Sequence, residues 1–228
     1  MPTTTSRVQR LARMVRERRW DALRAQLERR LLPNWLFYRR RLVFCRMTDV
    51  RRPARDLPFI TVREASPDDE PLLRQVRDHR EGFSHMFARG DVCYLALAGE
   101  RPAAFLWIEP GGVHRSAPAR YSFALGERGC WSYAVEVHPD FRLKGAFGKL
   151  WSDAFDMIRA RGFDAIYTSM PEDENLVSLR SHTRLGFEVL CRFAMLRVLG
   201  VTRYRVRWED GRTERGAGFW EGHDRLAR

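Results

Sequence analysis

A strand that runs through a basic, glycine-punctuated turn straight into a helix constrains this chain more than any other segment, because the helix must then cross over to a parallel strand. The strand is read from Trp131, Tyr133, Val135 and Val137 alternating with Ser132, Ala134, Glu136 and His138, the period of a half-buried strand. Pro139 ends it. Downstream, Phe147, Leu150, Trp151, Ala154, Phe155 and Ile158 recur at the spacing of one helical face, so the helix begins near Gly145. Its first backbone N–H groups have no partner inside the helix and carry the positive end of its dipole. With Arg142 and Lys144 beside them, they suit a pyrophosphate, although a structural turn has the same pattern.

The rest of the chain is read outward from this unit. A strand at 60–64 precedes Ser66-Pro67-Asp68-Asp69, which opens a helix with Ser as cap and Pro in its first turn; the pattern runs to about Arg80. A shorter helix follows near 83–89. Strands at 92–98 and 103–109 flank Gly99-Glu100-Arg101-Pro102 and read as a hairpin. Residues 110–129, with four glycines and two prolines, read as a long loop around a short strand at 121–125. A strand at 163–169 completes the crossover, a helix over 175–185 ends at Gly186, and strands at 188–198 and 202–208 follow.

The net charge of +12 is unevenly spread. Residues 1–60 hold 16 arginines against 5 acidic residues, and the remainder is nearly neutral. Residues 1–50 therefore read as a basic amphipathic helical extension with a strand at 42–45, residues 51–58 as a proline-containing linker, 59–208 as the main domain, and 209–228 as a tail with no assignable structure. Within 7–41, apolar stripes and aromatic residues sit among arginines. Such a segment either docks on the main domain or meets an anionic membrane surface. Nucleic acid is the least favoured partner, because no nucleic-acid-binding motif is present.

Cys45, Cys93, Cys130 and Cys191 are far apart and have no zinc-like spacing, so reduced, buried thiols and no metal are expected. The start of the chain lacks the apolar core of a secretory signal, and no run approaches the ~20 apolar residues of a membrane span. A cytoplasmic protein, peripheral to the inner face of the membrane if the basic segment binds there, is the expectation.

Two motifs carry a resemblance. Val137-His138-Pro139-Asp140-Phe141-Arg142-Leu143-Lys144-Gly145 follows Val-x-Pro-x-x-Arg-x-x-Gly, and Asn175-x-x-Ser178-x-x-Ser181-His182-x-Arg184-x-Gly186-Phe187 is similar to Asn-x-x-Ala-x-x-Leu-Tyr-x-Lys-x-Gly-Phe. Together with the element order, they make residues 59–198 resemble the GNAT superfamily of acyl-CoA N-acyltransferases. The resemblance implies an α/β (α+β) fold: a mixed, twisted sheet flanked by helices, splaying between the strand of Val135 and the strand of Ile166. Pantetheine would lie in that splay against Val135 and Val137. The diphosphate of coenzyme A would sit on the backbone from Leu143 to Lys149, through Lys144, Gly145, Ala146, Phe147 and Gly148, with Arg142 beside it. Phe147 departs from the family's Gly or Ala; it either narrows the turn or points into the core along the helical stripe.

Acyl transfer to an amine requires a proton acceptor for the amine, oxyanion stabilisation, and a proton for the departing thiolate. Glu136, on the strand beside the expected thioester, is the candidate base; an ion-paired or solvated Glu is the alternative. A backbone N–H near Val137 would meet the oxyanion. His182 stands where the family has a Tyr thought to protonate the thiolate, and Asn175, on the same helical stripe, would orient the cofactor. The expected activity is N-acetylation by direct attack of an amine on acetyl-CoA. An acyl carrier protein or a longer acyl-CoA is an alternative donor, and a non-catalytic module bound to membrane or a protein partner is an alternative of a different class. The identity of the small-molecule amine acceptor and the oligomeric state have no signature in the sequence.

Overall fold

The computed structural model describes residues 36–52, 57–172 and 176–224. The helical readings of residues 7–31 and the position of Asn175 lie outside them. Ten strands form one mixed sheet: β1 (Phe37–Met47), β2 (Ile60–Glu64), β3 (Val92–Ala98), β4 (Arg101–Ser116), β5 (Tyr121–Val137), β6 (Ala165–Pro171), β7 (Glu188–Val198), β8 (Val201–Trp208), β9 (Thr213–Ala217) and β10 (Trp220–His223). Among the described residues, four α-helices accompany them: α1 (Glu70–Val76), α2 (Ser84–Ala88), α3 (Ala146–Ala160) and α4 (Leu176–Arg184). The strand order is β2-β3-β4-β5-β6-β1-β7-β8-β9, with β10 pairing parallel to the start of β5.

Alternation along the strands sorts the core onto two faces. Tyr94 and Ala96 of β3, Ala104 and Leu106 of β4, and Val43 and Cys45 of β1 face α3, which contributes Leu150, Trp151, Ala154, Phe155 and Ile158. The residues between them face the other way. Cys93, Leu95, Phe105 and Trp107 pack against Leu73, Val76, Phe83 and Met86 of the α1–α2 region. Further along that second face, Phe44, Tyr121, Phe123, Trp131, Tyr167, Phe193 and Trp220 form an aromatic cluster, around which β10 curls the sheet back onto β5.

Four expectations from the sequence are corrected. β1, which the sequence pattern places in an extension outside residues 59–208, lies between β6 and β7 inside the sheet, antiparallel to both. Its alternating apolar side chains fill both faces there: Val43 and Cys45 are wholly buried, and Phe44 nearly so. The stretch read as a linker is tied down on each side, with Val50 and Leu57 buried and the Arg51 N–H donating to the Leu185 carbonyl at 2.8 Å. Residues 110–129 are mostly strand, since β4 and β5 continue as an antiparallel pair out to Ser116 and Tyr121. Gly111 and Gly112, at φ of +60° and +72°, sit where the register shifts, so the breaker residues bend the ribbon without ending it. The tail supplies β9 and β10. Glu214 of β9 accepts hydrogen bonds from the indole N–H groups of Trp208 and Trp220 at 2.7 and 3.2 Å.

The first helix also stops earlier than its sequence pattern. Asp69 caps it by accepting the Ser66 N–H at 2.8 Å while bonding Arg63 through both carboxylate oxygens. It ends at Val76, and Arg77 turns to extended φ and ψ of −151° and 119°, with its guanidinium on Glu136.

Candidate active site

β5 and β6 run parallel and are paired only from Gly129 opposite Ala165 to Ser132 opposite Thr168. Beyond Ser132 they part. Among the described residues, β5 continues to Val137 with partners on β4 alone, while β6 goes on to pair with β1. The backbone groups of Tyr133 to Val137 that point toward β6 are thus free to bond an extended ligand as a further strand would. A bulge marks the point of departure: Ala134 pairs with Trp107 and Ser132 with Ile108, leaving Tyr133 as the extra residue. The Tyr133 hydroxyl donates to buried Asp91 at 2.7 Å, which fixes the bulge to the start of β3.

The splay leads to the turn before α3. A cleft of about 520 Å³ is lined by Val135 and Val137 of β5, Phe141, Arg142, Leu143, Gly145, Ala146 and Phe147 of the turn, and Val177, Ser178 and Ser181 of α4. Gly145 caps α3 at φ +87° and ψ −5°, in the left-handed region. A Cβ there would lie 2.8 Å from Cδ1 of Leu57, so glycine suits the left-handed conformation and any larger residue would also have to displace the Leu57 side chain. The residues present fit coenzyme A: an unpaired strand edge for the amides of pantetheine, a helix N-terminus for the diphosphate, and an apolar wall between them.

The sequence-derived cofactor residues divide. Val135, Val137, Arg142, Leu143, Gly145, Ala146 and Phe147 line the cleft, whereas Lys144, Gly148 and Lys149 do not. Lys149 ion-pairs with Asp153 one turn along at 3.1 Å, and Arg142 Nε donates to the Val137 carbonyl at 3.3 Å. Phe147 packs its ring on the core and edge-on to His182 at 5.2 Å, and it also forms cleft wall.

His182 is 3% exposed, boxed by the rings of Phe147, Trp151 and Phe187 at 5.1–5.9 Å, and is not part of the cleft lining. Its Nδ1 lies 2.8 Å from the Ser178 carbonyl, which only accepts, so Nδ1 carries the proton. Burial pushes the imidazole below its ordinary 6.5, the carbonyl bond opposing only in part. In this placement His182 supports the wall of the cleft through Phe147, and its Nδ1–H is taken by the backbone. Glu136 does lie on the strand face opposite Val135 and Val137, but its carboxylate is engaged by Arg77.

The structure brings forward one pair that the sequence did not. His114 stacks flat on Trp131, with centroids 4.1 Å apart and planes 5° from parallel, and its Nδ1 lies 2.6 Å from Oε2 of Glu109. Trp131 immediately precedes the last residue of β5 that pairs with β6 and belongs to the face away from α3, so this Glu–His pair sits over the apex of the splay. Glu109 and His114 flank the Gly111-Gly112 bulge, and reading that stretch as loop hid their alignment.

Residues 58–187, more than half of the chain, match the model of the Acetyltransferase (GNAT) family. The chain belongs to the GNAT family of acetyltransferases. The mixed sheet flanked by helices is the fold expected of that family. Solved GNAT structures are similar at low identity. A putative acetyltransferase of the family from Novosphingobium aromaticivorans is 20% identical with a TM-score of 0.46, over 70% of this chain and 64% of that one. An aminoglycoside N-acetyltransferase, AAC(6')-Iy, in complex with CoA is 19% identical with a TM-score of 0.44, over 56% and 91%. A further putative GNAT acetyltransferase, from Desulfovibrio desulfuricans, is 15% identical with a TM-score of 0.42, over 55% and 82%. No curated protein sequence matches the chain.

Proposed function

We propose that this GNAT protein is an N-acetyltransferase that moves an acetyl group from acetyl-CoA to a small-molecule amine by direct attack in a ternary complex. The observation that carries this reading is the splay of β5 from β6 beyond Ser132, which leaves the strand edge of Tyr133 to Val137 open directly above the N-terminus of α3. Bound acetyl-CoA would supply the thioester. The chain holds it by that edge and by the α3 N-terminus, and a backbone N–H of β5 near Val137 faces the oxygen that gains charge. An amine arriving on the α1–α2 side forms its N–C bond as the C–S bond breaks, and it must lose a proton. His114 is assigned that proton. With Nδ1 donating to Glu109, Nε2 is left with a lone pair, the arrangement of an oriented general base.

Titration calorimetry with acetyl-CoA is expected to show one site, and thiol release should require both donor and an amine. Absence of binding at millimolar acetyl-CoA would refute the reading. Binding without donor-dependent thiol release under a broad amine screen would favour the non-catalytic module. Release from an acyl carrier thioester or a longer acyl-CoA in preference to acetyl-CoA would replace the donor.

A further inference from the structure

The sheet face that α3 and α4 cover at one end is bare of helices at the other, among the described residues, and there it is strongly basic. Register places Arg39 opposite Leu196 and Arg41 opposite Ala194 on β1 and β7. It places Arg203 opposite Leu196, Arg205 opposite Ala194 and Arg207 opposite Arg192 on β7 and β8, and Arg215 opposite Arg205 on β9. Directly paired residues share a face, so seven arginines of four adjacent strands point the same way. Their spacing is roughly 7 Å along a strand and 5 Å across it. Glu172 pairs with Arg41 and Arg192, and Glu209 with Arg192. Among the described residues, Arg203, Arg205, Arg207 and Arg215 have no acidic partner.

This basic face ends in an apolar tip. Leu196, Val198, Leu199 and Val201, at and beside the β7–β8 turn, are 40, 43, 67 and 60% exposed. Leu199 holds the left-handed φ of +50° at the tip, where turn chemistry calls for Asn or Gly. We infer that the β1-β7-β8-β9 face, with the Leu199 tip, is a docking surface for an anionic lipid bilayer. Arginines meet headgroup phosphates while the four apolar side chains enter the boundary with the acyl chains.

Other occupants suit the surface less well. Residues 1–35 carry nine arginines against three acidic residues, and like charge disfavours laying them on this face. A nucleic acid would answer the arginines but leave the apolar tip in water. An acidic carrier protein delivering a thioester would need the cleft beside β5, and β8 lies four strands from it, on the order of 20 Å across the sheet. The inference is independent of acyl transfer.

The test is flotation of the full chain with phosphatidylcholine vesicles, with and without phosphatidylglycerol, at several salt concentrations. The protein is expected to float with anionic vesicles only, and less as salt rises. The triple variant Arg203→Gln, Arg205→Gln, Arg207→Gln should lower partitioning roughly 100-fold, at about fivefold for each arginine near the surface. The variant Leu199→Ser, Val201→Ser should also weaken it while leaving the arginines in place. Melting curves check that each variant is folded, and Arg205→Gln with Arg215→Gln replaces the triple variant if that one melts early. Failure of the wild type to float, equal flotation with neutral vesicles, unchanged flotation of the folded arginine variants, or competition by duplex DNA that removes the protein from vesicles would each overturn the inference.

Discussion

Replacing Gly145 by Ala separates two demands that the structure makes at one position. The backbone sits at φ +87°, where an L-residue costs roughly 1–2 kcal/mol relative to glycine. The new Cβ would also stand 2.8 Å from Cδ1 of Leu57, a contact that a side-chain shift relieves only by disturbing a buried Leu. Together they should cost about 2–3 kcal/mol, since overpacking adds ~1 kcal/mol or more to the conformational cost. Urea unfolding of four proteins, wild type, Gly145→Ala, Leu57→Ala and the double variant, measures the two parts. In the Leu57→Ala background the clash is gone, so Gly145→Ala should there cost only its conformational ~1–2 kcal/mol. Gly145→Asn, which tolerates left-handed backbone, should be milder than Ala in conformation. If Gly145→Ala lies within about 0.3 kcal/mol of wild type, or the cycle shows no coupling to Leu57, the account of the turn is wrong. Acetyl-CoA titration of the same variants then asks whether the N-terminus of α3 must keep this geometry to bind.

Three further outcomes are expected. Trp220→Ala should destabilise by about 3–5 kcal/mol in urea unfolding, because a Trp that is 1% exposed is removed from the aromatic cluster closed by β10; a loss under 1 kcal/mol would return residues 209–228 to the status of a tail. His182→Phe should lessen the acid sensitivity of folding. The folded pKa lies below the unfolded value of 6.5, so the unfolded chain binds the extra proton and wild-type stability declines as pH falls below 6.5; parallel stability-against-pH curves for the two proteins would place the imidazole elsewhere. His114→Ala and Glu109→Gln should lower kcat by about 10²-fold or more while leaving acetyl-CoA affinity unchanged. A large kcat loss in Glu136→Gln with little in His114→Ala would move the base to Glu136.

The sequence alone was sufficient for those parts of the site that lie within a short span. A period-two strand, a proline, a basic turn with Gly145 and a helical stripe from Phe147 to Ile158 each follow from local preference, and the turn lies against the cleft where that pattern implied. The Asn175 motif added the helix that carries Ser178 and Ser181. Roles were less legible than positions. His182 occupies a motif place but is sealed by Phe147, Trp151 and Phe187, three rings from two separate parts of the chain.

Only the tertiary structure decided which strands become neighbours. β1 reads as one more apolar strand, and nothing within residues 37–47 says that it pairs with residues 166–171 and 188–198 instead of ending an extension. Long-range pairing is set by the joint burial of both faces, to which Val43 and Phe44 contribute in opposite directions. The same holds for Trp220 closing the sheet onto β5, for Glu109 meeting His114 across a bulge, and for seven arginines scattered between positions 39 and 215 sharing one face. Sequence fixes what each segment is able to be, through periods and special backbone angles. Which segments complete one another depends on surfaces that exist only once the sheet has formed.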